Sequence, residues 1–285
     1  MEKRTLTLAN GRSLAYRELG PRTGRPIVWC HGGFMSGLDI APWADALLTA
    51  NARVIAPARP GIDGSAPAPG RTTADWADDV RALLDALEIE RASVFGWSMG
   101  GQYALACAAL LPDRITRAVC IAGALPLDDE ATMRELNKMD QRLTKQSRHG
   151  AWMARLEFMT MASIAKFMPR LWTRILTKDL PDAEAAAVRA LSDPALAKAA
   201  SVGLANASGV IDEYLAWARP WGFDIGDISV PTAIWHGTAD ALIPARWGEE
   251  LAKRIPNARL RMCTDEGHFV AYSHQAEILD DLTGS

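Results

Sequence analysis

The segment Gly96-Trp97-Ser98-Met99-Gly100-Gly101 sets a serine between glycines two positions away on either side. It follows the apolar run Ser93 to Phe95 and precedes a helical pattern from Met99 to Leu111. A strand that turns sharply into a helix exposes the hydroxyl at the turn, and it tolerates only small residues two positions away, where a side chain would strike the neighbouring strand or helix. The helix start adds unpaired backbone amides beside the negative charge that develops when a carbonyl is attacked. Nucleophilic acyl transfer is therefore the chemistry this pattern suits, and it needs a base, because a serine hydroxyl is a weak nucleophile until its proton is taken. The chain holds five histidines from which that base could come: His31, His149, His236, His268 and His274. No HExxH, paired cysteine or clustered carboxylate pattern occurs, and no phosphate loop, so neither a metal nor a cofactor is expected.

The elements that must position such residues alternate along the chain. Two segments of alternating polarity, Thr5 to Leu8 and Ser13 to Leu19, flank Asn10-Gly11 and read as a hairpin. Short apolar runs follow at Ile27 to Cys30, Arg53 to Ala56, Ser93 to Gly96, Ala118 to Ala122, Thr232 to Trp235 and Arg259 to Cys263, as expected of strands buried on both faces of a parallel sheet. Helical periods lie between them at Thr73 to Leu87, Met99 to Leu111, Ala245 to Ile255 and His274 to Leu282. Alternation of this kind predicts an α/β fold with a mostly parallel central sheet flanked by helices.

From Leu125 to about Trp221 the patterns are helical throughout, which predicts an inserted all-helical lid (125–221) on a core of 1–124 and 222–285. Pro169, Pro181 and Pro194 punctuate it, the last two placed to open helices behind Asp179 and Asp193. The lid is rich in Met, Trp and Phe, which suits an adaptable apolar surface over a pocket. Its cations, Arg142, Lys145, Arg148, Arg155, Lys166, Arg170 and Arg174, stand at spacings expected of a solvated helix face.

With the strand-turn-helix serine in this context, the chain resembles the α/β-hydrolase family over nearly its whole length apart from the lid. That resemblance implies a triad in the order nucleophile, acid, histidine. His268, in Asp265-Glu266-Gly267-His268-Phe269 after the last strand, then takes the place of the base. The segment Trp235 to Pro244 matches the family pattern HGxxDxxxP and nominates Asp240 as the acid that fixes the imidazole tautomer. Asp265 and Glu266 are rival acids beside His268, and Asp227 falls at the wrong end of the sheet. The oxyanion hole implied is the backbone N–H of Met99 with that of Gly33 in His31-Gly32-Gly33-Phe34, Phe34 being the second choice. His31 and His236 read as structural, His149 and His274 as solvated. Arg59 to Ser65 resembles the family's RPGxGxS loop, with Asp63 where glycine is common, and reads as a rim of the pocket. Phe34, Trp97, Trp152 and Phe158 are candidate pocket residues.

A serine nucleophile argues against the haloalkane dehalogenases and epoxide hydrolases of this fold, which attack with a carboxylate. The oxyanion loop has Phe34 where prolyl iminopeptidases carry the proline of HGGPG, and it lacks the proline usual in the cofactor-free haloperoxidases. Cleavage of an ester, lactone or related acyl bond of a small, mostly apolar molecule is the expected activity. Carbon–carbon bond hydrolysis with the same triad and a ligand receptor on the same fold are the alternatives. Charge gives no cue for nucleic acid, with 31 Lys+Arg against 34 Asp+Glu and a net of −3. The longest apolar run, Tyr103 to Leu111, is far short of the roughly 20 residues that cross a bilayer, so no membrane partner is expected. A charged N-terminus without an apolar stretch behind it and four scattered cysteines suit a cytoplasmic protein, monomeric or homodimeric.

Overall fold

The computed structural model describes residues 1–178, 180–190 and 195–284. Eight strands form one sheet: β1 (Lys3–Thr7), β2 (Ser13–Leu19), β3 (Arg25–Cys30), β4 (Ala52–Pro57), β5 (Ala92–Trp97), β6 (Ile115–Ile121), β7 (Thr232–Gly237) and β8 (Ala258–Cys263), in the spatial order β1-β2-β4-β3-β5-β6-β7-β8. The β1–β2 hairpin joins antiparallel to β4, and every pairing from β4 to β8 is parallel. The expected strands are thus found, most of them longer by one to three residues at an end, with β2 as expected and Leu8 and Ala122 falling just outside β1 and β6.

Burial differs from expectation at the far edge. Strand β5 is buried along its whole length, whereas in β8 Arg259, Leu260 and Arg261 are exposed. As the last strand of the sheet, β8 has a neighbour on one side only, and its arginines face water beside Asp281.

Helices fill the connections. Between the sheet strands run a 3-10 helix (Gly37–Trp43), α1 (Ala44–Thr49), α2 (Trp76–Ala86) and α3 (Met99–Leu110), and later α11 (Ala245–Arg254), α12 (Val270–Ser273) and α13 (Gln275–Thr283). Helix α3 is buried almost throughout because it packs under both β5 and β6.

Between β6 and β7 the described residues hold helices and no strand: α4 (Glu130–Glu135), α5 (Lys138–His149), α6 (Ala151–Phe167), α7 (Pro169–Leu176), α8 (Asp182–Ala190), α9 (Ala195–Gly203) and α10 (Ala207–Trp217). Pro169 is the first residue of α7, where its missing N–H costs nothing. Helix α8 opens directly after Pro181, while Asp179, Asp193 and Pro194 lie outside the described residues. Asp129 and Asn137 cap α4 and α5 by accepting from Thr132 N and Asp140 N. No helix among the described residues is long and apolar enough to cross a membrane.

Candidate active site

The loops that leave the C-terminal ends of β3, β5, β7 and β8 bring Gly33, Ser98, Asp240 and His268 to one edge of the sheet, where ligands collect in open parallel sheets. Ser98 stands at the turn from β5 to α3 with φ 57 and ψ −127, a conformation strained for a residue with a Cβ. The turn holds because Ser98 N donates to Ile121 O at 2.8 Å and Gly101 N to Ser98 O at 2.9 Å. Its glycines are sterically required, since a Cβ on Gly96 would lie 2.1 Å from Gly100 O and one on Gly100 would lie 2.0 Å from Cys30 O.

His268 is nearly fully buried, and its Nδ1 lies 2.9 Å from Asp240 Oδ2. Donation from Nδ1 places the proton of the neutral ring there and leaves Nε2 unprotonated. The ring rests against Trp97, centroids 5.4 Å apart, and Trp97 Nε1 donates to His268 O at 2.8 Å. Gly32 makes room for that indole, because a Cβ there would come within 2.8 Å of it.

Asp240 also accepts from the backbone N–H groups of Leu242 and Ile243, at 2.8 and 2.9 Å on Oδ1. Burial alone would raise its pKa, but the charge and hydrogen bonds of His268 and His236 outweigh it and hold the carboxyl below the usual carboxylate range. His236, read from sequence as a structural residue apart from the site, has Nε2 3.3 Å from Asp240 Oδ2 and 3.2 Å from Ile243 O. It is a second partner of the acid. Glu266 is engaged by His274 Nε2 at 2.6 Å, which makes it a poor rival to Asp240. His274 is correspondingly not a plain solvated residue: it lies against Trp235, centroids 5.3 Å apart.

The loop after β3 is held from beneath. Arg59 Nη1 and Nη2 donate to His31 O at 2.6 Å and Gly32 O at 3.1 Å, and Asp39 Oδ2 accepts from Gly32 N at 3.0 Å. Asp39 also accepts from Trp29 Nε1, yet burial prevails over both donors and pushes its pKa up to about 7. Arg59 is fully buried and paired with Glu213 of α10, so the loop expected as a pocket rim is instead a strut between the sheet and the helical segment. Asp63, where glycine is common, takes φ 44 and pairs with Arg17 at 2.9 Å.

A cavity of about 590 Å³ opens over Ser98 and His268, and Gly33, Met99, Phe34 and Trp97 line it. Phe158 does not line it. Its fully buried ring packs behind the wall, 6.1 Å from Phe34 and 5.7 Å from Tyr214. Trp152 is 71% exposed on the outer face of α6 and lines only a shallow groove there. Both were candidates because a helical period marks which residues share a face without telling which way that face points.

The sequence reading also missed a polar group inside the cavity. Asp140 accepts from Tyr214 Oη at 2.5 Å and from Asn137 Nδ2 at 2.7 Å, and burial raises its pKa. Asn137 Nδ2 further donates to Leu242 O at 3.0 Å, which ties α5 to the loop of Asp240. Nothing local in the spacing Asn137-x-x-Asp140 signals a cavity. Lys138, Arg142 and Lys178 line the cavity too, and Arg142 pairs with Glu157, so Arg142 is not simply a solvated cation. Among the described residues, one trio could bring metal donors together: the atoms of Cys263, Glu266 and His274 lie within 4.8 Å of one another. Burial pushes the Cys263 thiol up to about 11, and Glu266 and His274 are already bonded to each other, so the trio is not set up as a resident metal centre.

The sheet order and the strained serine turn define a hydrolase of the α/β class. In agreement, the profile of the alpha/beta hydrolase fold matches residues 25–275, and the chain belongs to that family. It is 33% identical over 261 residues to the pimeloyl-[acyl-carrier protein] methyl ester esterase of Aromatoleum aromaticum, an alignment covering 90% of this chain and 97% of the relative. It is 28% identical over 275 residues to the 2-hydroxy-6-oxo-2,4-heptadienoate hydrolase of Pseudomonas putida, covering 93% and 89%. Among solved structures, the enol-lactonase of Burkholderia xenovorans LB400 superimposes with a TM-score of 0.71 at 23% identity, over 99% of this chain and 98% of that one.

Proposed function

We propose that this chain is a serine hydrolase that cleaves an ester, lactone or related acyl bond through an acyl-enzyme. The observation that carries the reading is the 2.9 Å contact of His268 Nδ1 with Asp240 Oδ2 behind a serine held at a strained turn in the same cavity. In this reading His268 Nε2 takes the proton of Ser98 Oγ as the oxygen attacks the substrate carbonyl. The tetrahedral oxyanion is met by the N–H groups of Gly33 and Met99. Collapse expels the alcohol, which carries away the proton from Nε2, and a water deprotonated by the same nitrogen then releases the acid and regenerates Ser98. Asp240 keeps Nδ1 protonated and stabilises the imidazolium between the two transfers.

The substrate class follows from the walls. Met139, Met161, Ile164, Trp172 and Trp217 offer an apolar lining, with Asp140 and Tyr214 as polar groups among them and Lys138, Lys178 and the Arg142–Glu157 pair also on the walls. Such a cavity suits a small, mostly apolar molecule bearing one hydrogen-bonding group, and helices α4–α10 act as the lid over it. The similarity to the methyl ester esterase favours an ester. The similarity to the heptadienoate hydrolase over nearly the whole chain favours a second reading, the same Ser98 used to cleave a carbon–carbon bond.

The test is intact mass after exposure to a fluorophosphonate, with Ser98→Ala as control, followed by turnover of p-nitrophenyl esters of increasing chain length. A single adduct absent from Ser98→Ala, with turnover of one ester, is expected. An adduct without ester turnover moves the reading to the carbon–carbon reaction, and no adduct overturns both.

A further inference from the structure

We propose that the outer face of α6 and α7 is a docking surface for an anionic lipid bilayer. Eight of the twelve large apolar side chains exposed among the described residues belong to these two helices and Met168 between them. On α6, Trp152, Leu156 and Met159 recur at helical spacing and Phe167 follows two turns later, past the exposed Thr160 and Ser163, so these apolar side chains are spread along about 22 Å of helix at 1.5 Å per residue. Phe167 is 72% exposed, Leu156 61% and Ile175 50%, values far from those of a packed face.

Lys166 near the end of α6, Arg170 and Arg174 on α7 and Lys178 just beyond α7 are all exposed, and none has a carboxylate partner among the described residues. Phe167, Leu171 and Ile175 each follow one of the first three by one position. The two helices contain a single acid, Glu157, and Arg142 neutralises it. Read from sequence alone, these cations looked like an ordinary solvated face; the folded chain sets them against exposed apolar side chains instead.

An occupant of this face must supply an apolar medium and negative charge together. A second copy of the chain supplies the first only, since its own matching face brings four more cations and no free acid. An anionic bilayer supplies both, with acyl chains beneath Phe167, Leu171 and Trp152 and lipid phosphates beside the lysine and arginine heads. Ile175 and Lys178 belong to the face and also line the cavity, so docking would set the cavity's edge against the lipid. This inference does not rest on the serine-hydrolase reading, because binding is measured without turnover.

The full chain is floated with vesicles of phosphatidylcholine alone or containing one quarter phosphatidylglycerol, at low and high salt. It is expected to float only with the anionic vesicles and to be released by salt, whose screening shortens the reach of surface charge. The variant Lys166→Ala/Arg170→Ala/Arg174→Ala should bind weaker by about fivefold per charge, on the order of a hundredfold together. Its melting curve and its turnover of a soluble ester should be unchanged, since none of the three lines the cavity. The variant Phe167→Ser/Leu171→Ser should also lose binding, which distinguishes insertion from mere adsorption. Failure to float, or flotation indifferent to both lipid charge and salt, overturns the proposal. Absence of flotation together with a concentration-dependent dimer abolished by Leu156→Glu assigns the face to a second copy instead.

Discussion

Replacing Asp240 by asparagine exchanges one carboxylate oxygen for an amide nitrogen at a position with four donors around it. Two are backbone N–H groups, Leu242 at 2.8 Å and Ile243 at 2.9 Å, both on Oδ1. The other two are His268 Nδ1 at 2.9 Å and His236 Nε2 at 3.3 Å, both on Oδ2. The backbone pair cannot change its polarity, so the amide oxygen must take the Oδ1 side and the NH2 group must face the histidines. His268 Nδ1 is then obliged to accept, and the neutral ring carries its proton on Nε2, the nitrogen assigned to receive a proton from Ser98. A loss of about 10⁴ in kcat/KM is expected, or about 5 kcal/mol of transition-state stabilisation. His236 keeps Ile243 O as an acceptor at 3.2 Å, so the folded state should lose only about 1–3 kcal/mol. Initial rates with an activated ester, beside a urea titration of each protein, measure both. An Asp240→Asn enzyme that is folded and within tenfold of the parent would refute the tautomer argument and move the acid's role elsewhere.

Two further substitutions probe what lies under the site. Gly100→Ala would put a methyl group 2.0 Å from Cys30 O and 2.6 Å from His31 O, both backbone atoms that cannot step aside; a loss of more than about 3 kcal/mol in denaturant unfolding is expected, and parental stability would contradict the close approach of α3 to the end of β3. Asp39 has its pKa raised to about 7 in the folded chain, against about 4 in an unfolded one. Between these values the folded state holds a proton that the unfolded state has lost, so this group's contribution to stability falls as pH rises from about 4 to 7 and is constant above. Asp39→Asn should therefore gain on the parent over that window, by up to a few kcal/mol, and equal pH dependence of the two in urea titrations would refute the assignment.

The parallel strands were legible because burial on both faces demands continuous apolar runs, and Ser98 because its turn permits so few residues around it. Asp240 and His268 were nominated by the spacing they share with a family, and geometry sets them 2.9 Å apart. The supporting residues were not legible. Arg59 holds two carbonyls of the loop after β3 and reaches Glu213 across 154 positions of chain, a separation at which no local pattern can carry information. Asn137 caps α5 by accepting from Asp140 N and ties that helix to Leu242 O, a contact 105 positions away that its neighbours in sequence do not announce. The exposure of β8 and of Trp152 depends on what does not pack against them, and a single chain position does not encode its missing neighbours.

The helical segment leaves the sheet after β6 and returns at β7, strands that are themselves paired from Ala118 with Thr232 to Ile121 with Trp235. Its two attachment points are therefore side by side, and the sheet closes beneath it whatever its length. Such a segment behaves as an exchangeable cassette: its walls can be rewritten without disturbing the register that brings Ser98, Asp240 and His268 together. The exchange is constrained by what the rest of the chain offers to the segment, first the buried guanidinium of Arg59, which needs a carboxylate such as that of Glu213. Leu242 O awaits a donor such as Asn137, and Trp247 Nε1, now held by Glu135 at 2.6 Å, awaits an acceptor. A transplanted segment that meets these requirements would leave the sheet-borne residues in place while bringing its own walls to the cavity.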